Sequence, residues 1–256
     1  MQMFRTRNGP GNKSRMEDMA PPFVEAGDRT VDLIPAAGLQ LRRTTGDRAT
    51  DWHPAARRQF VVWLYGYEEV ATGDGSKRSF SPGDLFLADD TRGEGHVIRS
   101  HGEAMRLWVA TPHWDPPAGR SRLPTVAPSD PARRPKFVRL LTGGDGRSHL
   151  EPADWKELER APSQEDQWIA VRGVQLRRWA GETDLDFHPA PRRQLIVTLS
   201  GEAEVETGDG TKMRFLPGDV MLAEDTSGQG HISRYRNDRR ALFIVLAPGA
   251  LEKRRA

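Results

Sequence analysis

Apolar residues in this chain fall in short runs with a period near two, the signature of β-strands rather than helices. In 193–199, Leu195, Val197 and Leu199 alternate with Gln194, Ile196 and Thr198, and Gly201 ends the run. A second strand is expected over 202–206. Thr207-Gly208-Asp209-Gly210 then reads as a hairpin turn into 212–215. Pro217-Gly218 turns the chain into 219–223, and strands over 231–235 and 241–246 complete the set. The earlier half repeats the plan, with Val61 to Leu64, the turn Thr72-Gly73-Asp74-Gly75, and Pro82-Gly83. One short helix is expected near 153–160, after Pro152. Evenly spaced short strands with Gly/Pro punctuation predict an all-β chain of sandwich or barrel type.

The two halves are copies. Residues 38–110 lie over 173–245 without a gap, so that His53 falls on His188 and His96 on His231. On the order of half of those positions are identical, well beyond what a shared fold requires. A stretch from Gly9 resembles the one from Gly143 with one residue of slippage. Two domain-sized modules follow, an N-terminal one over 1–118 and a C-terminal one over 136–256. The Pro-rich stretch 119–135 is expected to be an extended linker. Two copies of this size do not make a solenoid.

Composition narrows the function classes. The 256 residues hold no Cys, which excludes thiolate nucleophiles and Cys-based zinc sites. The 38 basic and 36 acidic residues nearly cancel and are interspersed, and no basic block carries interleaved aromatics, so nucleic acid is not an expected partner. No apolar run reaches membrane-span length, and the first residues hold no apolar leader segment, so a cytoplasmic protein without membrane contact is expected.

At this point the residues resemble a known family. His188-Pro-Ala-Pro-Arg-Arg-Gln194, a strand and Gly201 resemble the first cupin motif, and Pro217-Gly218-Asp219, a strand and His231 resemble the second. His53, Gln59 and Gly66, then Pro82-Gly83-Asp84 and His96, repeat the pair. The resemblance covers nearly the whole chain and implies a bicupin: two tandem double-stranded β-helix (jelly-roll) barrels, each with a site at its mouth. The family pattern, His-x-His, a Glu and a later His, ligates one metal. Here the second His position holds Ala55 and Ala190, and the Glu position holds Gln59 and Gln194. His53, Gln59 and His96, and His188, Gln194 and His231, therefore remain as candidate ligands. They would suit a divalent cation such as Zn²⁺, Fe²⁺, Ni²⁺ or Mn²⁺, held more weakly than by a carboxylate set.

Strand alternation adds a second set. If His188 faces the interior, Arg192 does too unless a bulge at the prolines intervenes, and Arg57 follows in the first copy. An inward guanidinium requires a carboxylate or an anionic ligand. Asp225 or Glu224, and Asp90 or Asp89 in the first copy, are the expected carboxylate partners, and Arg57, Arg192, Asp90 and Asp225 the candidate substrate-binding residues. Strands apolar on both faces need cover on both, so the modules are expected to pack as an intramolecular pseudo-dimer, in a monomer or a homodimer. Trp63 stands where the second copy has Thr198, which makes the second pocket the roomier if both point inward.

Two functions fit. One is a metal-assisted isomerase, cyclase or oxygenase acting on a small organic acid or carbonyl compound, with His188, His231 and Arg192 as its catalytic residues. The other is a metal-free barrel that binds a small, possibly anionic molecule without chemistry. The missing His and Glu favour the second, and the retained His pairs favour the first.

Overall fold

The computed structural model describes residues 1–19, 22–25, 33–116, 129–159 and 167–251. The linker expected over 119–135 lies partly outside the described residues. Two compact units form. Unit 1 comprises 1–22, 35–134 and 160–168, and unit 2 comprises 23–34, 135–159 and 169–256. Each unit thus takes a short segment from the other half of the chain.

Unit 1 contains β1 (Met3–Asn8), β2 (Ser14–Asp18), β4 (Gly38–Thr44), β5 (Arg48–Ala49), β6 (Gln59–Thr72), β7 (Lys77–Phe80), β8 (Leu85–Asp89) and β9 (His96–Ala110). Unit 2 contains β3 (Phe23–Glu25), β10 (Phe137–Thr142), β11 (Ser148–Pro152), β12 (Val171–Trp179), β13 (Thr183–His188), β14 (Gln194–Glu206), β15 (Lys212–Phe215), β16 (Val220–Ala223) and β17 (His231–Leu246). Where the pattern predicts four separate strands, unit 2 has two long ones. The runs 193–199 and 202–206 join as β14, and 231–235 and 241–246 join as β17. Ladder pairing continues across both joints through a bulge. Gly201 faces a three-residue excursion of β17, in which Asn237 and Asp238 have positive φ.

That bulge folds the sheet over on itself. Beyond it, β14 and β17 pair with β15 and β13; before it, β14 pairs with β16 and β17 with β12. The result is two facing layers, β13-β17-β14-β15 against β11-β10-β16-β14-β17-β12-β3, open at the edge strands. Unit 1 repeats the arrangement, with β5-β9-β6-β7 against β2-β1-β8-β6-β9-β4. The core of each unit lies between its layers. In unit 2 it includes Ala190, Ile196, Ala203, Val205, Phe215, Met221, Tyr235, Ala241 and Phe243. In unit 1 it includes Ala55, Val61, Trp63, Val70, Phe80, Phe86 and Ile98. The alternate residues Phe60, Val62 and Leu64, and Leu195, Val197 and Leu199, are equally buried on the outer faces.

Turn chemistry explains the repeated polar motifs. In each Thr-Gly-Asp-Gly turn the Thr hydroxyl donates to the Asp carboxylate, Thr72 to Asp74 at 2.8 Å and Thr207 to Asp209 at 2.6 Å. In each Pro-Gly-Asp turn the Asp is a latch. Asp84 accepts from the backbone N–H groups of Ser81 and Gln2, and Asp219 from those of Leu216 and Lys136. The helix expected near 153–160 is a single 3₁₀ turn, Trp155–Glu157, whose capping Asp154 accepts from the Lys156 N–H. No helix among the described residues is long and apolar enough to cross a membrane.

Candidate functional site

The two histidines of each copy meet, although 43 residues separate them in sequence. His188 ends β13 and lies in register with His231 at the start of β17, their ring centroids 4.5 Å apart. His53 and His96 form the matching bridge in unit 1, with ring centroids 4.8 Å apart. A glycine makes the approach tight: a Cβ on Gly230 would lie 2.2 Å from the backbone of His188, and Gly230 has φ of +74°.

Each ring has one nitrogen committed. His188 Nδ1 is 2.7 Å from the carbonyl of Asp186, and His231 Nδ1 is 2.6 Å from the Asp225 carboxylate. These oxygens accept only, so in the neutral rings the hydrogen sits on Nδ1 and Nε2 keeps its lone pair. His53 and His96 do the same with the Asp51 carbonyl and the Asp90 carboxylate, both at 2.8 Å. Burial holds the half-buried His188 below the ordinary 6.5, an effect opposed by the Asp186 carbonyl and reinforced by the neighbouring His231.

The carboxylates of the two copies differ in how fully they are used. Asp90 is fully buried, and its other oxygen accepts from the Thr6 hydroxyl at 2.7 Å. In unit 2 the parallel register places Leu140 beside Ala223, where unit 1 has Thr6 beside Ala88. Asp225 Oδ1 is accordingly buried without a hydrogen-bond partner.

The expected arginines go elsewhere. Arg192 is exposed and lines an outer hollow of about 430 Å³ with Arg172, Arg193 and Pro248, away from the His pair. Arg57 stacks its guanidinium over the Trp168 ring at 5.0 Å. The reason is local: β6 and β14 begin at Gln59 and Gln194, so the alternation that would turn Arg57 and Arg192 inward does not extend through the loop before them. It is the following residue of each Arg-Arg pair that finds a carboxylate, Arg58 with Asp89 at 2.6 Å and Arg193 with Glu224 at 2.6 Å. Asp90 and Asp225 hold histidines instead of arginines. Gln59 and Gln194 are buried at the start of their strands, on the inward parity.

The interiors of the two units contrast. In unit 1, Trp63 fills the centre, stacked on Phe80 with centroids 4.2 Å apart and donating its indole N–H to Glu68 at 2.8 Å. Glu68 also accepts from the Ser100 hydroxyl and forms an ion pair with Arg106 at 3.2 Å. In unit 2 the positions of Trp63, Glu68 and Arg106 hold Thr198, Ala203 and Ala241. A narrow cavity remains there, lined by His231, Ser233, Tyr235, Thr198, Ala203 and Arg239, with about 20 Å³ that a water-sized body can occupy. Sequence reading missed Arg239. The available signal was an Arg-Arg pair directly before the apolar run 241–246, at positions where the first copy has Ala104 and Met105.

The donor set does not fit a resident metal. No group of three or more His, Cys, Asp or Glu is placed to hold a cation among the described residues. The second-His positions, Ala190 and Ala55, are buried core residues. In unit 2 Arg239 lines the same cavity as His231, and its positive charge would repel a dication.

No family model matches the chain, and no curated protein matches it in sequence. The folded-over sheets, with a His pair bridged at the matching place in both copies, are the arrangement that the resemblance to the cupin motifs implies. Among solved structures the chain is similar to a cupin 2 conserved barrel domain protein from Leptotrichia buccalis, at 12% identity over 83% of this chain and 85% of that one, with a TM-score of 0.39. It is also similar to a point mutant of salicylate 1,2-dioxygenase from Pseudoaminobacter salicylatoxidans, at 11% identity over 96% and 77%, with a TM-score of 0.38. Oxalate decarboxylase from Lactobacillus farciminis matches at 13% identity over 84% and 78%, with a TM-score of 0.32.

Proposed function

We propose that unit 2 is a metal-free cupin barrel that binds a small molecule beside His231 and exchanges a proton with it. One observation carries this reading. His231 is buried on the cavity wall, and its Nδ1 is held by Asp225 at 2.6 Å. A carboxylate behind an imidazole fixes the ring and its tautomer and stabilises the imidazolium, so Nε2 is prepared to accept a proton from a bound group. His188, next to it and kept neutral by burial, competes little for that proton.

A metal-assisted reaction is the second reading, favoured by the His pair occurring in both copies. One experiment separates them. Protein purified without chelator is supplied with Zn²⁺, Fe²⁺, Ni²⁺ and Mn²⁺, and its metal content is measured alongside the ¹⁵N shifts of the His231 ring. The expected outcome is far less than one metal per chain, with the His231 ring hydrogen on Nδ1. One equivalent of metal that disappears in His188→Ala would replace this reading with the metalloenzyme.

A further inference from the structure

Arg239 is buried, with only 3% of its surface exposed. Its guanidinium carbon lies 4.3 Å from the Tyr235 ring centroid and 4.8 Å from that of Trp179, and the two rings themselves meet at 4.6 Å, so both pack to one side of it. Ring faces satisfy the charge but not the in-plane N–H donors. Nε and Nη1 are both buried with no acceptor.

Arginine cannot shed its proton to escape this cost, and an unpaired buried charge is among the more expensive features a fold can hold. The first copy shows the usual remedy. Its interior Arg106 has Glu68 as counterion and donates to the Thr44 hydroxyl at 2.7 Å. In the second copy the carboxylate is replaced by Ala203, and the arginine moves two residues earlier along the strand, to Arg239. Ala203 and Arg239 line the same cavity as His231, with the hydroxyl-bearing side chains of Thr198, Ser233 and Tyr235 around them.

We infer that Arg239 is an anion anchor, and that the molecule bound beside His231 is a small carboxylic acid whose carboxylate takes the place Glu68 fills in unit 1. The inference rests on the reading of unit 2 as a ligand-binding barrel and adds the class of its ligand. Nε and Nη1 lie on different edges of the planar guanidinium, and each offers one charge-assisted hydrogen bond to an oxygen of a bound carboxylate. The narrow cavity limits the acid to a few heavy atoms, so aromatic acids and sugar acids are excluded without movement of the walls. Arg239 and His231 line the same cavity, so a carboxylate held by the guanidinium leaves the remainder of the acid within reach of the imidazole.

The test uses full-length protein and calorimetric titration with acetate, glyoxylate, pyruvate, oxalate and malonate, with acetamide and pyruvamide as neutral counterparts. At least one acid is expected to bind saturably while its amide does not. Arg239→Met should weaken that acid about tenfold or more, the loss expected for a charge-assisted hydrogen bond. His231→Asn should change its affinity far less. Because Arg239→Met could fail to fold, Ala203→Glu supplies an independent arm. It returns a carboxylate to the cavity, and should raise the melting temperature of the free protein while abolishing acid binding. Acid affinity unchanged in both variants would overturn the inference. Binding of the amides in preference to the acids would overturn it while leaving the ligand-binding barrel standing. Binding of neither set would remove both.

Discussion

His188 is where a single residue ties stability to pH. Its folded pKa lies below the ordinary 6.5 because burial disfavours the imidazolium, with the facing His231 adding to the effect. Between that depressed value and 6.5 the unfolded chain binds the proton and the folded chain does not. Stability therefore rises with pH through this window, and the contribution is complete above about 6.5. The groups facing the ring are His231, Asp225 and the Asp186 carbonyl, and Asp225 opposes the shift only weakly. Melting temperature measured from pH 7.5 down to 5 should fall for the wild type and fall less steeply for His188→Gln. Identical pH profiles would show that His188 is not kept neutral by the fold. At this scale the sequence was partly legible. The His pairs were visible because both copies kept them, and their exact repeat distance tied His53 to His188 and His96 to His231. The partners of Asp90 and Asp225 were not legible, because nothing in a linear reading says that a carboxylate six residues before a histidine faces it across a turn. Arg57 and Arg192 misled for the reason given by the strand starts: parity argues only within a strand, and the prolines placed both residues outside one.

Among the elements, strand identity was readable from period-two alternation, while the joining of four runs into β14 and β17 was not. Gly201 reads as a terminator in sequence, yet it serves as the inside of a bulge that lets pairing continue and folds one sheet into two layers. Pairing between β13 and β17, which brings His188 to His231, depends on a second glycine. At Gly230 an added Cβ would meet the carbonyl carbon and oxygen of His188, at a backbone angle unfavourable to any L side chain. Gly210 has a similar positive φ of +85° but nothing within 4 Å of such a Cβ. Gly210→Ala should then cost only the conformational term, about 1–2 kcal/mol. Gly230→Ala should cost clearly more and should also separate the two imidazoles. Thermal unfolding of both variants, with the ring shifts of His188 and His231 as the local readout, checks this. Equal losses with unchanged shifts would mean that the close approach has no role in setting the pair.

For the molecule as a whole, duplication produced two units with one plan and different interiors. Both kept the His–Asp pair, the hairpin turns and the Pro-Gly-Asp latch, which is why the repeat was readable without a structure. The difference lies in positions that change in compensation: Trp63 with Glu68 and Arg106 in one copy, Thr198 with Ala203 and Arg239 in the other. Unit 1 places its large ring in the centre and neutralises its own guanidinium. Unit 2 lacks both the ring and the counterion, and keeps a cavity with a bare cation. If a ligand's carboxylate completes that charge pair, its place is in unit 2, since in unit 1 Glu68 already pairs with Arg106. The chain should then bind one acid, not two, despite its two nearly identical motifs. Calorimetric titration of the tightest-binding carboxylate should give a stoichiometry near one per chain. Arg239→Met should remove that site, whereas Arg106→Met should leave the stoichiometry unchanged while destabilising unit 1, where Glu68 would lose its partner. Two equivalent sites, or one site lost in Arg106→Met and retained in Arg239→Met, would show that the plugged interior of unit 1 binds the ligand.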